Sequence, residues 1–253
     1  MISGPAWRML PCAVFTSVLS MDTIQVARLE RSECRPNCCP SAISTPALRA
    51  AGCFSRGASL PNGIFLDMSS SARKRKFIVY LAVSADGFIA RRDGSVDWLD
   101  RPRPKGNYGM AEFYRSVDTC VLGRKTYDLS VSFGMAEGYA GKKNYVFSRT
   151  LSKAASPKVN IVSEDVRVFA ERMRSERGKN IWLVGGAELV AAFLDSGQVN
   201  EFVIHVIPKM IGEGIPLIAP RHRDLSLKLL ASKQFPDGVV KLHYTVLARG
   251  SLN

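Results

Sequence analysis

The chain has 253 residues, of which 46% are hydrophobic, and carries a formal net charge of +13. That apolar content suffices for one large domain or two small ones and excludes a chain too polar to bury a core, so it reads as a soluble globular protein. The positive balance favours anionic partners, whether nucleic acid, phosphorylated metabolites or acidic membrane surfaces; with no aromatic-interleaved basic stripe or helix-turn-helix pattern, nucleic acid is the weaker reading.

Residues 1 to 67 differ in kind from the rest of the chain. Five of the six cysteines lie here (Cys12, Cys34, Cys38, Cys39 and Cys53), lysine is absent, and proline, serine and arginine are scattered without periodicity. The run from Leu10 to Leu19 is too short, and too broken by Pro11, Thr16 and Ser17, to span a bilayer. An arginine- and serine-bearing leader suits an organelle transit peptide, a reading weakened by Asp22, Glu30 and Glu33. Cys34, Cys38 and Cys39 have no second pair or histidine at a zinc-site spacing, and no metal is implied. Met68 offers an alternative start. The expectation is therefore that residues 1–73 are a disordered leader or no part of the mature protein, and that 74–253 fold as one domain. Cys120 is then its sole cysteine, which fits a reducing compartment and a cytoplasmic protein.

Phe77 to Val83 is a continuous apolar run rich in aromatic and β-branched residues, hence a central strand buried on both faces. Ser84-Ala85-Asp86-Gly87 leads into a long loop reaching about Asn107, punctuated by Asp93-Gly94, Pro102, Pro104 and Gly106. Trp98, between Asp97 and Leu99, suggests that part of this loop packs down as a lid. Tyr108 to Ser116 predicts a short helix with Phe113 and Tyr114 turned inward. Thr119 to Leu122 predicts another buried strand, and Gly123-Arg124-Lys125-Thr126-Tyr127 turns it into a helix; two cations at a helix start are unfavourable for the dipole and point either to a shared anion or to an exposed basic turn. Tyr145 to Phe147 is a strand ending in Ser148-Arg149, Val159 to Val162 another, and Asp165 to Arg177 an amphipathic surface helix. Asn180 to Leu194 reads as strand, glycine turn, helix: Ile181 to Val184 apolar, Gly185-Gly186, then Glu188 followed by Leu189, Val190, Ala192, Phe193 and Leu194 at helical spacing. The glycines either let the backbone approach a phosphate at the helix start or serve the turn alone. Glu201 to Ile207 is a strand, Pro208 to Pro216 a glycine-containing loop, and Leu225 to Leu230 with Val239 to Leu247 a closing hairpin around Pro236-Asp237-Gly238. The fold class is α/β: a doubly wound, mostly parallel sheet with an antiparallel C-terminal edge hairpin. Asp86, Arg124, Ser148, Gly185 and Gly186 all fall just past strand ends, where such sheets bind ligands.

Five short motifs occur in order: VSADGFIA at Val83 to Ala90, VLGRKTYD at Val121 to Asp128, VFSRTL at Val146 to Leu151, WLVGGAELVAAFL at Trp182 to Leu194 and HVIPKMIGEGIPLI at His205 to Ile218. Together they resemble the dihydrofolate reductase-like superfamily, and within it the reductase domain of the bacterial bifunctional riboflavin-biosynthesis enzyme and its stand-alone relatives. The resemblance implies NADPH. It places Gly123, Arg124, Lys125 and Thr126 at the cofactor phosphates, Ser148 and Arg149 beside the 2′-phosphate, Gly185, Gly186, Ala187 and Glu188 at the pyrophosphate turn, and Ala82 and Val184 also against the cofactor. Dihydrofolate reductases carry a carboxylate before the aromatic pair of the first helix; here Met110 stands near that place, and Glu112, two positions off, falls on a different helical face.

The resemblance thus implies an NADPH-dependent reductase of a pyrimidine- or pterin-like substrate, with 5-amino-6-(5-phosphoribosylamino)uracil as the reference. Alternatives are a dihydrofolate or xenobiotic reductase and a non-catalytic nucleotide-binding sensor. The catalytic candidates are Asp86, Asp97 and Trp98; Asp86-Gly87 also fits a plain turn, and Asp97 a helix cap. Arg91 and Arg92 could meet a substrate phosphate or only water, and His205 reads as a packed core residue. The expected partner is a small-molecule substrate, with neither nucleic acid nor membrane; a homodimer is compatible with the resemblance.

Overall fold

A computed structural model describes residues 74–102, 104 and 106–247. The leader expected over residues 1–73 lies outside the described residues. The main sheet is built from β1 (Phe77–Ser84), β3 (Val117–Gly123), β4 (Lys143–Phe147), β5 (Val159–Val162), β6 (Asn180–Gly185), β7 (Glu201–Ile207), β9 (Leu227–Gln234) and β10 (Val240–Val246). These eight strands lie in the order β5-β4-β3-β6-β1-β7-β10-β9. The first six pair in parallel; β10 runs antiparallel to β7, and β9 to β10. This is the α/β sheet with an antiparallel edge that the apolar runs predict.

The runs over β1 and β6 are unbroken because both strands are covered twice. Alternate residues point to opposite faces. Ile78, Tyr80 and Trp182 pack on one side with α1 (Met110–Ser116) and α2 (Arg124–Ser132), through Met110, Phe113 and Tyr127. Phe77, Val79, Leu81, Ile181 and Leu183 pack on the other with α3 (Val166–Ser175) and α4 (Ala187–Asp195), through Phe169, Met173, Val190 and Phe193. Arg75 locks the opposite end of the sheet, pairing with Asp118 and Thr119 and donating to the Lys179 carbonyl at 2.7 Å.

The structure corrects several sequence expectations. The long loop after β1 contains β2 (Phe88–Ala90), paired with β8 (Ile215–Pro216), and a one-turn helix at Asp97–Leu99. A Cβ on Gly214 would sit 2.2 Å from the Ala90 carbonyl oxygen, so only glycine permits this approach. In α1 Met110 and Phe113 are buried and Tyr114, half-buried, packs against the same cluster as expected, while its hydroxyl donates to the Ala140 carbonyl at 2.5 Å. Tyr108 precedes that helix with φ +57, beside Asn107 at φ +42. The first hairpin strand runs over Leu227–Gln234 instead of Leu225 to Leu230, with both faces exposed at the sheet edge. Among the described residues no helix is long and apolar enough to cross a membrane.

Candidate active site

β3 and β6 are parallel neighbours, with Leu122 opposite Gly185, so their C-terminal ends open side by side. Each passes directly into a helix: Gly123 precedes α2 and Gly186 precedes α4, and neither residue offers a side chain to the first-turn N–H groups. Two helix starts, each with unpaired donors and a positive dipole end, therefore face the same space. A Cβ on Gly123 would lie 3.5 Å from both the Gly185 oxygen and the Gly186 nitrogen, and one on Gly186 would lie 3.3 Å from Thr126 Oγ1. The turns touch, with the Thr126 hydroxyl between them. Gly185 has φ +120, a conformation closed to other residues, whereas Gly186 at φ −84 is ordinary extended backbone. This cradle fits a multiply charged phosphate group.

The charged residues around it are unevenly committed. Arg124 Nε donates to both Asp128 carboxylate oxygens at 2.8 and 2.7 Å, which turns this guanidinium along its own helix. Lys125 is exposed beside it. At the end of β4 the Ser148 hydroxyl accepts from the Thr150 and Leu151 amides at 3.2 and 2.9 Å and so shapes its own turn, leaving Arg149 exposed. Glu188 pairs with Arg221 at 2.9 Å, and Arg221 also holds Asp195 at 2.6 Å, strapping the following loop onto α4. Ala187 is buried against Ala191 and Ala219.

Next to the cradle, β1 carries Ala82 opposite His205. Tyr80 stacks on Phe113 with ring centroids 4.1 Å apart, and its hydroxyl lies 3.5 Å from His205 Nε2. His205 is buried, as expected, but in polar company: burial first, and the nearby Lys241 charge second, hold its pKa down to about 4, so the ring is neutral at pH 7. The Tyr108 ring lies 6.0 Å from it, and the Tyr108 hydroxyl donates to Asp237 at 2.5 Å. Val184 is half-buried beside Trp182 and Tyr80. α1 buries Met110 and leaves Glu112 exposed, so this helix brings no carboxylate to the core face of β1.

The two candidate acids are both held ionised. Asp86 accepts from the Ser84 hydroxyl at 2.5 Å and from the amides of Ile211 and Gly212 at 3.0 and 2.7 Å; the Ser84 bond above all lowers its pKa. These bonds tie the β1–β2 turn to the loop after β7, reinforced by the Ala85 amide donating to the Lys209 carbonyl at 2.8 Å. Asp97 pairs with Arg91 at 2.6 Å, and this bond lowers its pKa as well. A proton donor needs the reverse shift. Arg92 pairs with Glu213 at 2.8 Å. Trp98 is fully buried against Ala90, Leu99, Ile207 and Val239, with its indole N–H unpartnered, and closes the base of the loop.

The residues named from sequence at Ala82, Gly123, Thr126 and Gly185 to Ala187 thus gather at one end of the central strands; Asp86, two residues past β1, lies at the same end but is tied to Ser84, Ile211 and Gly212, and Asp97 is paired with Arg91. Tyr80, Tyr108 and Lys241 escaped notice: each sits in an ordinary apolar or alternating run, and only strand pairing reveals the shared face. Among the described residues no group of His, Cys, Asp or Glu side chains could hold a metal ion.

Comparison with known proteins gives the family. YwjB of Bacillus subtilis, an uncharacterized protein, is 42% identical over 171 residues, covering 68% of this chain and 98% of its own. A solved structure of a Shewanella sp. PV-4 protein assigned to riboflavin biosynthesis shares 28% identity with a TM-score of 0.62, covering 68% of this chain and 99% of its own. The Thermotoga maritima diaminohydroxyphosphoribosylaminopyrimidine deaminase/5-amino-6-(5-phosphoribosylamino)uracil reductase shares the fold, with a TM-score of 0.54 at 15% identity over 70% of this chain and 58% of its own. Residues 75–241 match the RibD C-terminal domain, and the chain belongs to that family.

Proposed function

We propose that the protein is an NADPH-dependent reductase of a pyrimidine- or pterin-like ring, similar to 5-amino-6-(5-phosphoribosylamino)uracil reductase. The observation that carries this reading is the pair of uncapped helix starts meeting at Gly123, Thr126 and Gly186. Family membership supports a reductase-like activity. In this reading the amides of the two turns and the Thr126 hydroxyl hold the pyrophosphate, Lys125 and Arg149 meet the 2′-phosphate together with the uncommitted donors of Arg124, and Ala82 and Val184 face the nicotinamide. Bound there, the cofactor supplies the hydride.

The chain's own residues then orient the ring and exclude water. Trp98 and the Asp86-anchored loop close one side, and the buried Tyr80–Phe113 stack backs the strand that carries Ala82. Asp86 and Asp97, being ionised, serve as anchors. The Tyr80 hydroxyl and the neutral His205 ring are the proton-bearing groups beside Ala82. A dihydrofolate reductase is disfavoured by Met110, buried where that activity places its carboxylate.

The test is titration of the full chain with NADPH and NADH, followed by NADPH oxidation with a panel of pyrimidines and pterins. NADPH should bind more tightly than NADH by about tenfold or more, and its oxidation should require a ring substrate. Absence of NADPH binding at millimolar concentration would refute the proposal.

A further inference from the structure

Lys241 stands where a lysine is poorly served. It lies on β10, opposite His205 on β7 and Lys233 on β9, so one row across the sheet reads Ala82, His205, Lys241, Lys233. Residues paired across strands share a face, and α1 covers part of this one. A Cβ on Gly109, which precedes α1, would come 3.5 Å from Lys241 Nζ, and the ammonium stands 6.0 Å from the centre of the Tyr80 ring. The charge is therefore held between Gly109 and Tyr80 and half-buried there.

Among the described residues no carboxylate pairs with that charge. Among the described residues Lys241 makes no hydrogen bond or ion pair; Glu112 on α1 attracts it from a distance, while desolvation and the facing Lys233 oppose its charged form. Behind it, His205 is 3% exposed, and its Nδ1 has no hydrogen-bond partner. Lys241 and the buried His205 ring thus adjoin, the His205 Nε2 facing the Tyr80 hydroxyl, while Lys233 is exposed with its ammonium 5.1 Å from the centre of the Phe235 ring. Half-burying the Lys241 ammonium and leaving the buried His205 Nδ1 unpaired costs free energy in the empty protein, and an incoming acceptor recovers it.

We propose that Lys241, with His205 beside it, is the docking point for an anionic group on the substrate's ring, so that the slot takes planar heterocyclic acids in preference to neutral rings. The proposal rests on the reading of this face as the reductase's substrate slot. Charge preference is set by Lys241. Lys233, further along the row, extends the positive field toward the sheet edge and admits substituents that carry more negative charge.

The probes are uracil-6-carboxylate and uracil, which differ by one charged group, titrated calorimetrically into the full-length protein. The acid should bind about tenfold or more tightly than uracil, as a charge-assisted contact requires. Lys241→Met keeps the stem and removes the charge, and it should abolish the preference; Lys241→Gln serves as a second variant should methionine disturb the strand, and melting temperatures show that each is folded. Lys241→Arg should keep the preference. Equal binding of the two probes by the wild type, failure of both to bind, or a preference that survives in folded Lys241→Met and Lys241→Gln would each overturn the proposal. NADPH affinity measured on the same samples reports on the cofactor site separately: its absence in the wild type refutes the reductase reading, while the preference between probes remains readable.

Discussion

Alanine at Gly186 separates the two uses a glycine turn can have. The residue has φ −84 and ψ −161, so alanine fits without backbone strain, and the new Cβ meets only Thr126 Oγ1, at 3.3 Å. A hydroxyl can yield by a few tenths of an ångström, and the loss of glycine's freedom in the unfolded chain offsets the squeeze by about 0.4–1 kcal/mol. Stability should therefore hardly change. The same methyl group stands in the gap between the two helix starts, where it would displace a phosphate from at least one amide. A hydrogen bond to a charged group contributes about 1.5–3 kcal/mol, so the NADPH dissociation constant should rise roughly 10- to 150-fold. Gly185→Ala gives the opposite signature. Its Cβ meets nothing, but φ +120 costs about 1–3 kcal/mol, a melting decrease of about 2–12 °C in a domain of this size. Isothermal titration with thermal melts on both variants reads the two effects. A folded Gly186→Ala protein that binds NADPH like the wild type would show that the turns do not cradle a phosphate.

Arg149→Ala should weaken NADPH at least about fivefold while leaving NADH nearly unchanged, because Arg149 is exposed and uncommitted where Arg124 is already tied to Asp128; equal losses for both cofactors would place it elsewhere. Asp86→Asn should lower the melting temperature and flatten its acid dependence. With the folded pKa of Asp86 below its unfolded value, its contribution is present above the unfolded pKa and lost as pH falls through the folded one, so melts of the two proteins should converge in strong acid. A constant difference down to low pH would mean that the carboxylate charge is not what the Ile211 and Gly212 amides require. A chain beginning at Met68 should melt cooperatively at the same temperature as the full chain, since the preceding residues lack periodicity; a large loss would show that they pack on the domain.

The sheet was legible because its central strands are hydrophobic on both faces, and a run such as Ile181 to Val184 has few other uses. The glycine-to-helix turns were legible for the same reason, since each directly succeeds such a run. What escaped depends on partners distant in sequence. β2 is three residues long and is defined by β8, far along the chain, so no periodicity marks it. Asp86-Gly87 looks like any turn until the Ile211 and Gly212 amides arrive from beyond β7. Lys241 alternates correctly in its strand, and nothing local tells which of its faces looks into the slot. The positive φ values of Asn107 and Tyr108 are likewise set by tertiary contacts, among them the bond from Tyr108 to Asp237.

The antiparallel edge explains how the last part of the chain reaches a site built by the first. In the parallel strands every C-terminal end points the same way, which gathers Ala82, Gly123 and Gly185 near one edge of the sheet. A further parallel strand would bring only its own end there. Because β10 runs backwards, it is its beginning that arrives: Lys241, its second residue, pairs with His205 near the end of β7. The turn before it arrives too, and Asp237 in that turn accepts from Tyr108 while its backbone carbonyl accepts from Arg101 at 2.6 Å. The hairpin thus contributes a cation beside His205 and an anchor for the segment that carries Arg101 and Tyr108. A mutation that loosens the β9–β10 edge should therefore alter ligand preference before it unfolds the sheet, since the central strands keep their own two-sided core.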